Sequence, residues 1–214
     1  MAIVRHETHY HDRVVRCFAQ RPATIDALFR AAAARAPERD ALRLGDERMS
    51  YRALDATVDA IAANLARRGF RKGDRVALLL GNGFEFVTAV LACARAGIIV
   101  VPMSIRQRAP ETEFILNQCE AAALIYQTEL AEHLPSPAAT PHLRERFVVG
   151  DGFGTPFSAL TTPAQFSGAD IREEDVFALL YLRHHRAPER GDADAPRHHP
   201  LAAAFRVRHG PARR

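Results

Sequence analysis

Apolar residues in the first third of the chain recur at the three- and four-residue spacing of amphipathic helices. The first helical segment follows Thr24, whose hydroxyl can cap a first turn, and should end near Pro37. The second segment follows Ser50 and should end at Gly69. Its apolar face is continuous, which is typical of a helix packed against a core. The apolar positions are Ile25, Leu28, Phe29 and Ala32 in the first segment and Leu54, Val58, Ile61 and Leu65 in the second.

The residues around these two helices follow other patterns. Residues 41–44 and 48–51 flank Gly45-Asp46, which is typical of a short β-hairpin. The apolar residues among positions 1–23 show no sustained periodic spacing, so we predict that the chain starts with irregular backbone. Residues 131–170 are rich in Pro, Gly, Ser and Thr, and we expect one strand there, at 146–149.

Short runs of almost continuously apolar residues predict strands that are covered on both faces. The runs lie at residues 75–80, 98–101, 121–126 and 175–181. Gly81-Asn82-Gly83 leads into a predicted helix at 84–96 that ends at Gly97, and Pro110 suits the first position of another helix. This alternation of strands and helices predicts right-handed βαβ units. The fold class is therefore α/β, with a mainly parallel sheet flanked by helices.

Four segments of the chain carry a resemblance to a known family. They read M-S-Y-R-A-L-D (49–55), G-F-R-K-G-D-R-V-A-L-L-L-G-N (69–82), E-F-V-T-A-V-L-A-C-A-R-A-G-I-I-V-V-P-M (85–103) and F-I-L-N-Q-C-E-A-A-A-L-I (114–125). In order, spacing and residue type they resemble the N-terminal part of AMP-forming acyl-CoA synthetases. These belong to the adenylate-forming enzymes, with the luciferases and the peptide-synthetase adenylation domains. The resemblance implies that residues 1–181 form part of an AMP-dependent synthetase domain.

The resemblance also implies a chemistry. Such a ligase of fatty acid metabolism would bind a carboxylic acid, ATP, Mg²⁺ and coenzyme A, and would form an acyl-adenylate before the thioester. The family's phosphate loop, acid pocket and catalytic lysine all lie beyond the position of Tyr181. We therefore assign no catalytic, cofactor-binding or metal-binding residue in this chain, and we expect no cofactor for it. Lys72-Gly73-Asp74 and Gly81-Asn82-Gly83 are interpreted as turns.

The sequence departs from the family directly after Tyr181. It continues L-R-H-H-R-A-P-E-R, where the family has a loop rich in Ser, Thr and Gly with one Lys. Codons exist for Leu182–Arg190 that, read one base forward, encode Ser-Gly-Thr-Thr-Gly-Arg-Pro-Lys-Gly. This string is the expected phosphate-binding signature. We therefore predict that residues 182–214 are a disordered basic tail translated out of frame.

The charge of the chain supports the same division. Residues 182–214 hold eight Arg against three acidic residues, whereas the rest holds 21 basic and 22 acidic residues. The His pairs of this tail could suggest a metal site, but no cysteine lies nearby. Its arginines could suggest nucleic-acid binding, but Phe205 is its one aromatic residue, so specific binding is not expected. Cys17, Cys93 and Cys119 lack metal-ligand spacing and are read as packing residues.

These observations define two functional hypotheses. The first is a truncated AMP-dependent acid–CoA ligase that is inactive as a 214-residue chain and prone to aggregate. The alternative is a non-catalytic α/β interaction module derived from such a ligase. No apolar run of eighteen residues and no secretory signal is present in the sequence, so we expect a cytoplasmic protein without a membrane span.

Overall fold

The computed structural model of the protein describes residues 3–9, 12–182 and 201–205. Its helices are α1 (Ile25–Arg35), α2 (Tyr51–Arg67), α3 (Phe84–Ala96), α4 (Ala109–Gln118) and α5 (Ser158–Thr161). Its strands are β1 (Val4–His9), β2 (Arg13–Phe18), β3 (Asp40–Leu44), β4 (Glu47–Ser50), β5 (Arg75–Leu79), β6 (Ile99–Pro102), β7 (Ala123–Gln127), β8 (Glu145–Val149), β9 (Thr155–Pro156), β10 (Ala178–Leu182) and β11 (Leu201–Phe205). Short 3-10 helices span Thr128–His133 and Pro137–Ala139.

A seven-stranded sheet organises the described part of the chain, in the order β11-β10-β6-β5-β7-β8-β9. From β10 to β9 every neighbouring pair is parallel, and β11 pairs antiparallel with β10. Two separate hairpins, β1–β2 and β3–β4, lie outside this sheet. The predicted α/β class with a mainly parallel, helix-flanked sheet is therefore confirmed.

The central strand β5 shows why its sequence is almost entirely apolar. Val76 and Leu78 belong to the core formed with α1, α2 and α3, whereas Ala77 and Leu79 belong to the core formed with α4. All four side chains are completely buried. Because successive residues of a strand point to opposite faces, a strand covered on both sides has no position left for a polar residue.

The predicted helix boundaries follow local capping chemistry. Thr24 Oγ1 accepts a hydrogen bond from the Ala27 N–H at 3.1 Å, and Ser50 Oγ accepts one from the Ala53 N–H at 3.2 Å. Gly97 ends α3 in the left-handed region with φ +69°. In each case the residues that interact lie within a few positions of each other in the sequence, so the sequence alone was enough to place these helix ends.

Three expectations need correction. The start of the chain is the β1–β2 hairpin rather than irregular backbone. Residues 131–170 contain β9 and α5 in addition to β8. Leu28, read as part of the apolar pattern of α1, is 48% exposed, whereas α1 buries Phe29, as predicted, and also Ala33.

Part of the predicted tail lies within the described residues. Residues 201–205 form β11 along β10, so this piece of the tail has regular structure. Residues 183–200 and 206–214, with every histidine of the tail, lie outside the described residues. The boundary at 181 and the out-of-frame origin of the tail stay predictions.

The three cysteines behave as packing residues. Cys17, Cys93 and Cys119 are free and buried. Burial raises the pKa of the Cys93 thiol to about 12 and that of the Cys119 thiol to about 11. These two thiols therefore stay protonated at neutral pH and are poor nucleophiles.

Within the described ranges, no helix combines the length and the apolar character needed to cross a lipid bilayer.

Candidate functional site

The carboxyl ends of the parallel strands meet at one edge of the sheet. The chain passes from β5 to β6 on one side of β5 and then crosses to β7 on its other side. In open α/β sheets, ligands bind outside the carboxyl ends of the strands at such a switch in direction. The first place to look for a site is therefore the crevice between the end of β5 and the end of β7.

A hydrogen bond bridges this crevice. The Gly81 N–H, directly beyond β5, donates to Gln127 Oε1 at the end of β7, with 2.6 Å between nitrogen and oxygen. A Cβ atom at position 81 would lie 3.2 Å from the same oxygen. Gly81-Asn82-Gly83 is thus a turn from strand to helix, and its first N–H binds the protein itself.

The loop after β8 is held by residues at the end of β7, the neighbouring strand. Tyr126 Oη donates to the Phe153 carbonyl at 2.5 Å, and Thr128 Oγ1 lies 2.7 Å from the Asp151 carbonyl oxygen. A Cβ atom on Gly154 would lie 2.5 Å from the Arg146 carbonyl oxygen, so this position requires glycine. The polar side chains at this corner of the sheet therefore hold the loop in one conformation.

Lys72, the one lysine of the sequence, lies at the opposite edge of the sheet. It belongs to the turn between α2 and β5, and its Nζ is 2.6 Å from both the Asp170 carbonyl oxygen and Asp175 Oδ2. The length of β5 separates it from the carboxyl ends by roughly 16 Å. The interpretation of Lys72-Gly73-Asp74 as a turn agrees with this geometry, and the side chain is too far away to contact a ligand at the switch point.

The described carboxyl-end loops do not fit a nucleotide phosphate chain. Glu85 and Asp151 bring negative charge to this edge. Arg106 and Arg108 follow β6, but both are exposed, and Arg108 Nη1 lies 2.6 Å from His133 Nε2. Among the described residues, none of these loops combines glycines, hydroxyls and a lysine in the manner of a phosphate cradle. The loop after β10, where the resemblance places that cradle, starts outside the described residues.

An acidic and histidine-containing cluster lies on the N-terminal hairpin. Glu7, His9 and Cys17 bring their potential metal ligands within 4.8 Å of one another. Arg21 already occupies the carboxylate, however, with its Nη2 2.6 Å from Glu7 Oε2. The same nitrogen lies 2.6 Å from Glu173 Oε1. Hydrogen bonds from Arg21 hold the pKa of Glu7 well below its usual range.

This cluster is best explained as a set of structural ion pairs that hold the hairpin in place. A guanidinium within hydrogen-bond distance of the carboxylate repels a metal cation from the same oxygens. By contacting Glu7 on β1 and Glu173 ahead of β10, Arg21 fastens the β1–β2 hairpin to the segment that enters the sheet. We therefore assign no metal ligand to this hairpin.

A cleft lies beside the carboxyl end of β8 and has a volume of about 390 Å³. We call it the β8–α3 cleft, because the end of β8, the first turns of α3, the middle of α2 and α5 form its walls. The uncharged walls are formed by Met49, Thr57, Phe84, Thr88, Val148, Val149, Gly150, Pro156, Phe157, Ser158 and Thr161, and Glu85 completes the lining. Sequence reasoning missed this cleft, because its lining comes from separate segments of the chain.

Comparison with known proteins links the fold to a family. The chain matches the family described as AMP-binding enzyme over residues 29–194. A medium/long-chain-fatty-acid–CoA/3-oxocholest-4-en-26-oate–CoA ligase of Mycobacterium tuberculosis is 32% identical over 155 residues, which are 68% of this chain and 28% of that ligase. This chain therefore spans less than a third of the length of that relative.

Solved structures share the architecture. A Mycobacterium tuberculosis fatty acyl CoA synthetase has a TM-score of 0.71 at 23% identity, covering 86% of this chain and 34% of that one. The inhibitor-bound N-terminal domain of FACL13 from the same organism has a TM-score of 0.71 at 24% identity, covering 86% of this chain and 44% of that domain. At these identities the likeness establishes the common fold.

Proposed function

Because this chain belongs to the AMP-binding enzyme family, we propose that it is the N-terminal scaffold of an acid–CoA ligase and does not catalyse adenylation by itself. The family match over residues 29–194 carries the first half of this proposal. The second half is supported by the carboxyl-end loops, whose described residues hold the scaffold together and bring carboxylates rather than a phosphate cradle to the edge.

The expected reaction of the intact ligase explains why such an edge is insufficient. A substrate carboxylate would attack the α-phosphate of ATP, releasing pyrophosphate and forming an acyl-adenylate. The thiol of coenzyme A would then displace AMP, losing its proton and forming the thioester. An anion that attacks a polyanion needs Mg²⁺, a basic side chain and oriented dipoles to offset the repulsion. Glu85 and Asp151 would add to that repulsion.

The described residues support a role in positioning the segment that follows β10. β10 joins the sheet beside β6, where the Val100 N–H donates to the Phe177 carbonyl at 2.9 Å. Its carboxyl end therefore lies at the same edge as those of β5, β6 and β7. We assign the described α/β layer the role of a platform on which a phosphate loop following β10 would be held.

The purified 214-residue chain is expected to show no acid-dependent exchange of labelled pyrophosphate into ATP. The assay uses Mg-ATP with a panel of aliphatic and aromatic carboxylic acids, after mass spectrometry has verified the intact chain. A full-length fatty acid–CoA ligase assayed in parallel provides the positive control. Acid-dependent exchange that co-elutes with the chain would overturn the proposal of inactivity.

The origin of residues 182–214 is tested on the gene. We propose that sequencing across the Tyr181 codon and several hundred bases beyond it will find ligase codons in the shifted frame, beginning with Ser-Gly-Thr-Thr-Gly-Arg-Pro-Lys-Gly. Unrelated downstream DNA would contradict this origin and favour the non-catalytic interaction module. The DNA is needed to decide this point, because two observations beyond Tyr181 are not explained by an out-of-frame origin. The family match reaches residue 194, and β11 occupies residues 201–205.

We also propose a cytoplasmic location. The three cysteines are free and buried rather than paired in disulfides, which is the usual state of thiols in a reducing compartment.

A further inference from the structure

The threonines of the β8–α3 cleft share one chemical property. Thr57 Oγ1 donates to the Ala53 carbonyl at 2.9 Å, and Thr88 Oγ1 donates to the Glu85 carbonyl at 3.1 Å. Thr161 Oγ1 likewise donates to the carbonyl of residue 158 at 3.0 Å. A hydroxyl has one hydrogen and two lone pairs. Since the hydrogens are used within the protein, these hydroxyls can only accept hydrogen bonds from a molecule in the cleft.

Glu85 adds the one charge among the residues that line the cleft. It lies in the first turn of α3, and its Oε2 would be 3.0 Å from a Cβ atom at position 83, so the carboxylate folds over the start of the helix. The first N–H groups of a helix carry about half a positive charge and otherwise attract anions. The full negative charge of Glu85 outweighs that half charge, so the net field at this end of the cleft is negative.

The remaining walls of the cleft are largely apolar. Phe157 is buried, and Met49, Phe84 and Val149 are half-buried. The volume of about 390 Å³ lies in the range of small-molecule sites, roughly 300–1,000 Å³. An apolar body therefore has a surface to contact, while its polar end meets hydroxyl lone pairs and a carboxylate.

We propose that the β8–α3 cleft binds small amphipathic organic cations, in which an aromatic or aliphatic body carries a protonated amine. The ammonium group donates hydrogen bonds to Glu85 and to the acceptor hydroxyls of Thr57 and Thr88. The body packs against Phe84 and Phe157. The same features disfavour a carboxylate, so this cleft is separate from the acid-binding function proposed for the intact ligase.

The test compares two probes of similar shape and opposite charge. Binding of 2-phenylethylamine and of 3-phenylpropionate to the full chain is measured at neutral pH by saturation-transfer NMR and by titration of the methyl resonances. The amine is expected to bind saturably and to shift the methyl signals of Val149. Comparable binding of the two probes, or no binding of the amine to the folded chain at millimolar concentration, would overturn the proposal.

Two substitutions identify the groups that recognise the amine. Glu85→Gln is expected to weaken amine binding about tenfold or more, because a hydrogen bond to a charged partner is replaced by one to a neutral amide. Thr88→Val keeps the shape of the side chain, removes one acceptor and is expected to weaken binding a few-fold.

The control is Glu129→Gln, which removes an exposed carboxylate just beyond β7, outside the cleft. It should leave amine binding unchanged. Equal losses in Glu85→Gln and Glu129→Gln would show that the amine responds to the general negative charge of this edge, and would overturn the assignment to the cleft. This result is independent of pyrophosphate exchange, so the two proposals fail separately.

Discussion

Replacing Arg95 by methionine is expected to lower the free energy of unfolding by about 3 kcal/mol, because it leaves carboxylates without their buried counter-ion. Arg95 is 2% exposed, although it carries a permanent charge. Its Nε lies 2.8 Å from Asp26 Oδ1 and its Nη2 lies 2.6 Å from Asp55 Oδ1. A third carboxylate, Asp59, has its Oδ1 3.3 Å from Nη1. Partial exposure of these acids lets water replace some of the lost interaction, which places the expected loss at the low end of the range for buried ion pairs.

The large effect follows from where these carboxylates lie. Asp26 belongs to α1, whereas Asp55 and Asp59 belong to α2, so one side chain of α3 joins three helices. The guanidinium carbon also lies 5.8 Å from the ring centre of Phe29, a cation–π distance. Arg95 therefore adds a charged link between the three helices to the apolar core that they share on this face of the sheet.

Urea unfolding of Arg95→Met beside Arg30→Met measures the difference. Arg30 pairs with the same Asp26, at 2.9 Å, but is 52% exposed. Its replacement should cost less than about 1 kcal/mol, as for other exposed pairs. Arg95→Lys keeps the charge and loses the planar fork, so an intermediate value is expected. Equal losses of unfolding free energy for Arg95→Met and Arg30→Met would contradict the role of Arg95 in linking the three helices.

Local signals made much of the fold predictable. Thr24, Ser50 and Gly97 mark the ends of helices by interactions within a few residues, and these boundaries are confirmed. The apolar runs correctly predicted β5, β6, β7 and β10, because strands covered on both faces have no polar positions. The mainly parallel pairing of the strands then followed from the alternation of strands and helices, since parallel strands need crossover connections.

The missed elements depend on contacts between distant residues. The β1–β2 hairpin is largely polar. Arg21 contacts Glu7 of this hairpin and also Glu173, which lies 152 positions from Arg21 in the sequence. α5 is fixed by Asn64 of α2, whose Nδ2 donates to the Leu160 carbonyl at 2.9 Å. No short window of sequence contains both partners of such a contact, so periodicity could not find them.

The candidate site was predictable only where its residues are consecutive. The two glycine-containing turns were correctly placed as turns because each is a local feature. The β8–α3 cleft was not, since Met49, Phe84 and Phe157 meet only when the sheet and its helices are assembled. The acceptor character of its threonines likewise depends on side-chain hydrogen bonds that the sequence does not display.

Replacing Phe147 by alanine is expected to lower the free energy of unfolding by about 3–5 kcal/mol. Phe147 is completely buried in β8, between Ile125 of β7 and Thr155 of β9 in the sheet register. Its ring centre lies 6.4 Å from that of Phe70, and the Arg68 guanidinium carbon lies 5.5 Å from the same ring centre. Removing the ring would leave a cavity between β8 and the residues that connect α2 to β5.

Phe153→Ala provides the matched control, because Phe153 is the same residue type six positions later and is 71% exposed. Its replacement should change the free energy of unfolding by less than about 0.5 kcal/mol. Phe147→Leu should cost less than about 2 kcal/mol, since much of the buried volume is kept. The measurements are urea unfolding and hydrogen exchange of the β7 and β8 amides. Similar losses for Phe147→Ala and Phe153→Ala would show that β8 does not belong to the same core.

The size of this loss also tests the platform role of the chain. Domains of this size are stable by about 5–15 kcal/mol, so a loss of 3–5 kcal/mol removes a large share of the total. If β8 and β5 share one core, the Phe147→Ala chain should lose exchange protection in both strands together. Protection that falls in β8 and persists in β5 would mean that the edge of the sheet unfolds separately. The platform would then be limited to β5, β6, β7 and β10, which still carry the carboxyl ends around the switch point.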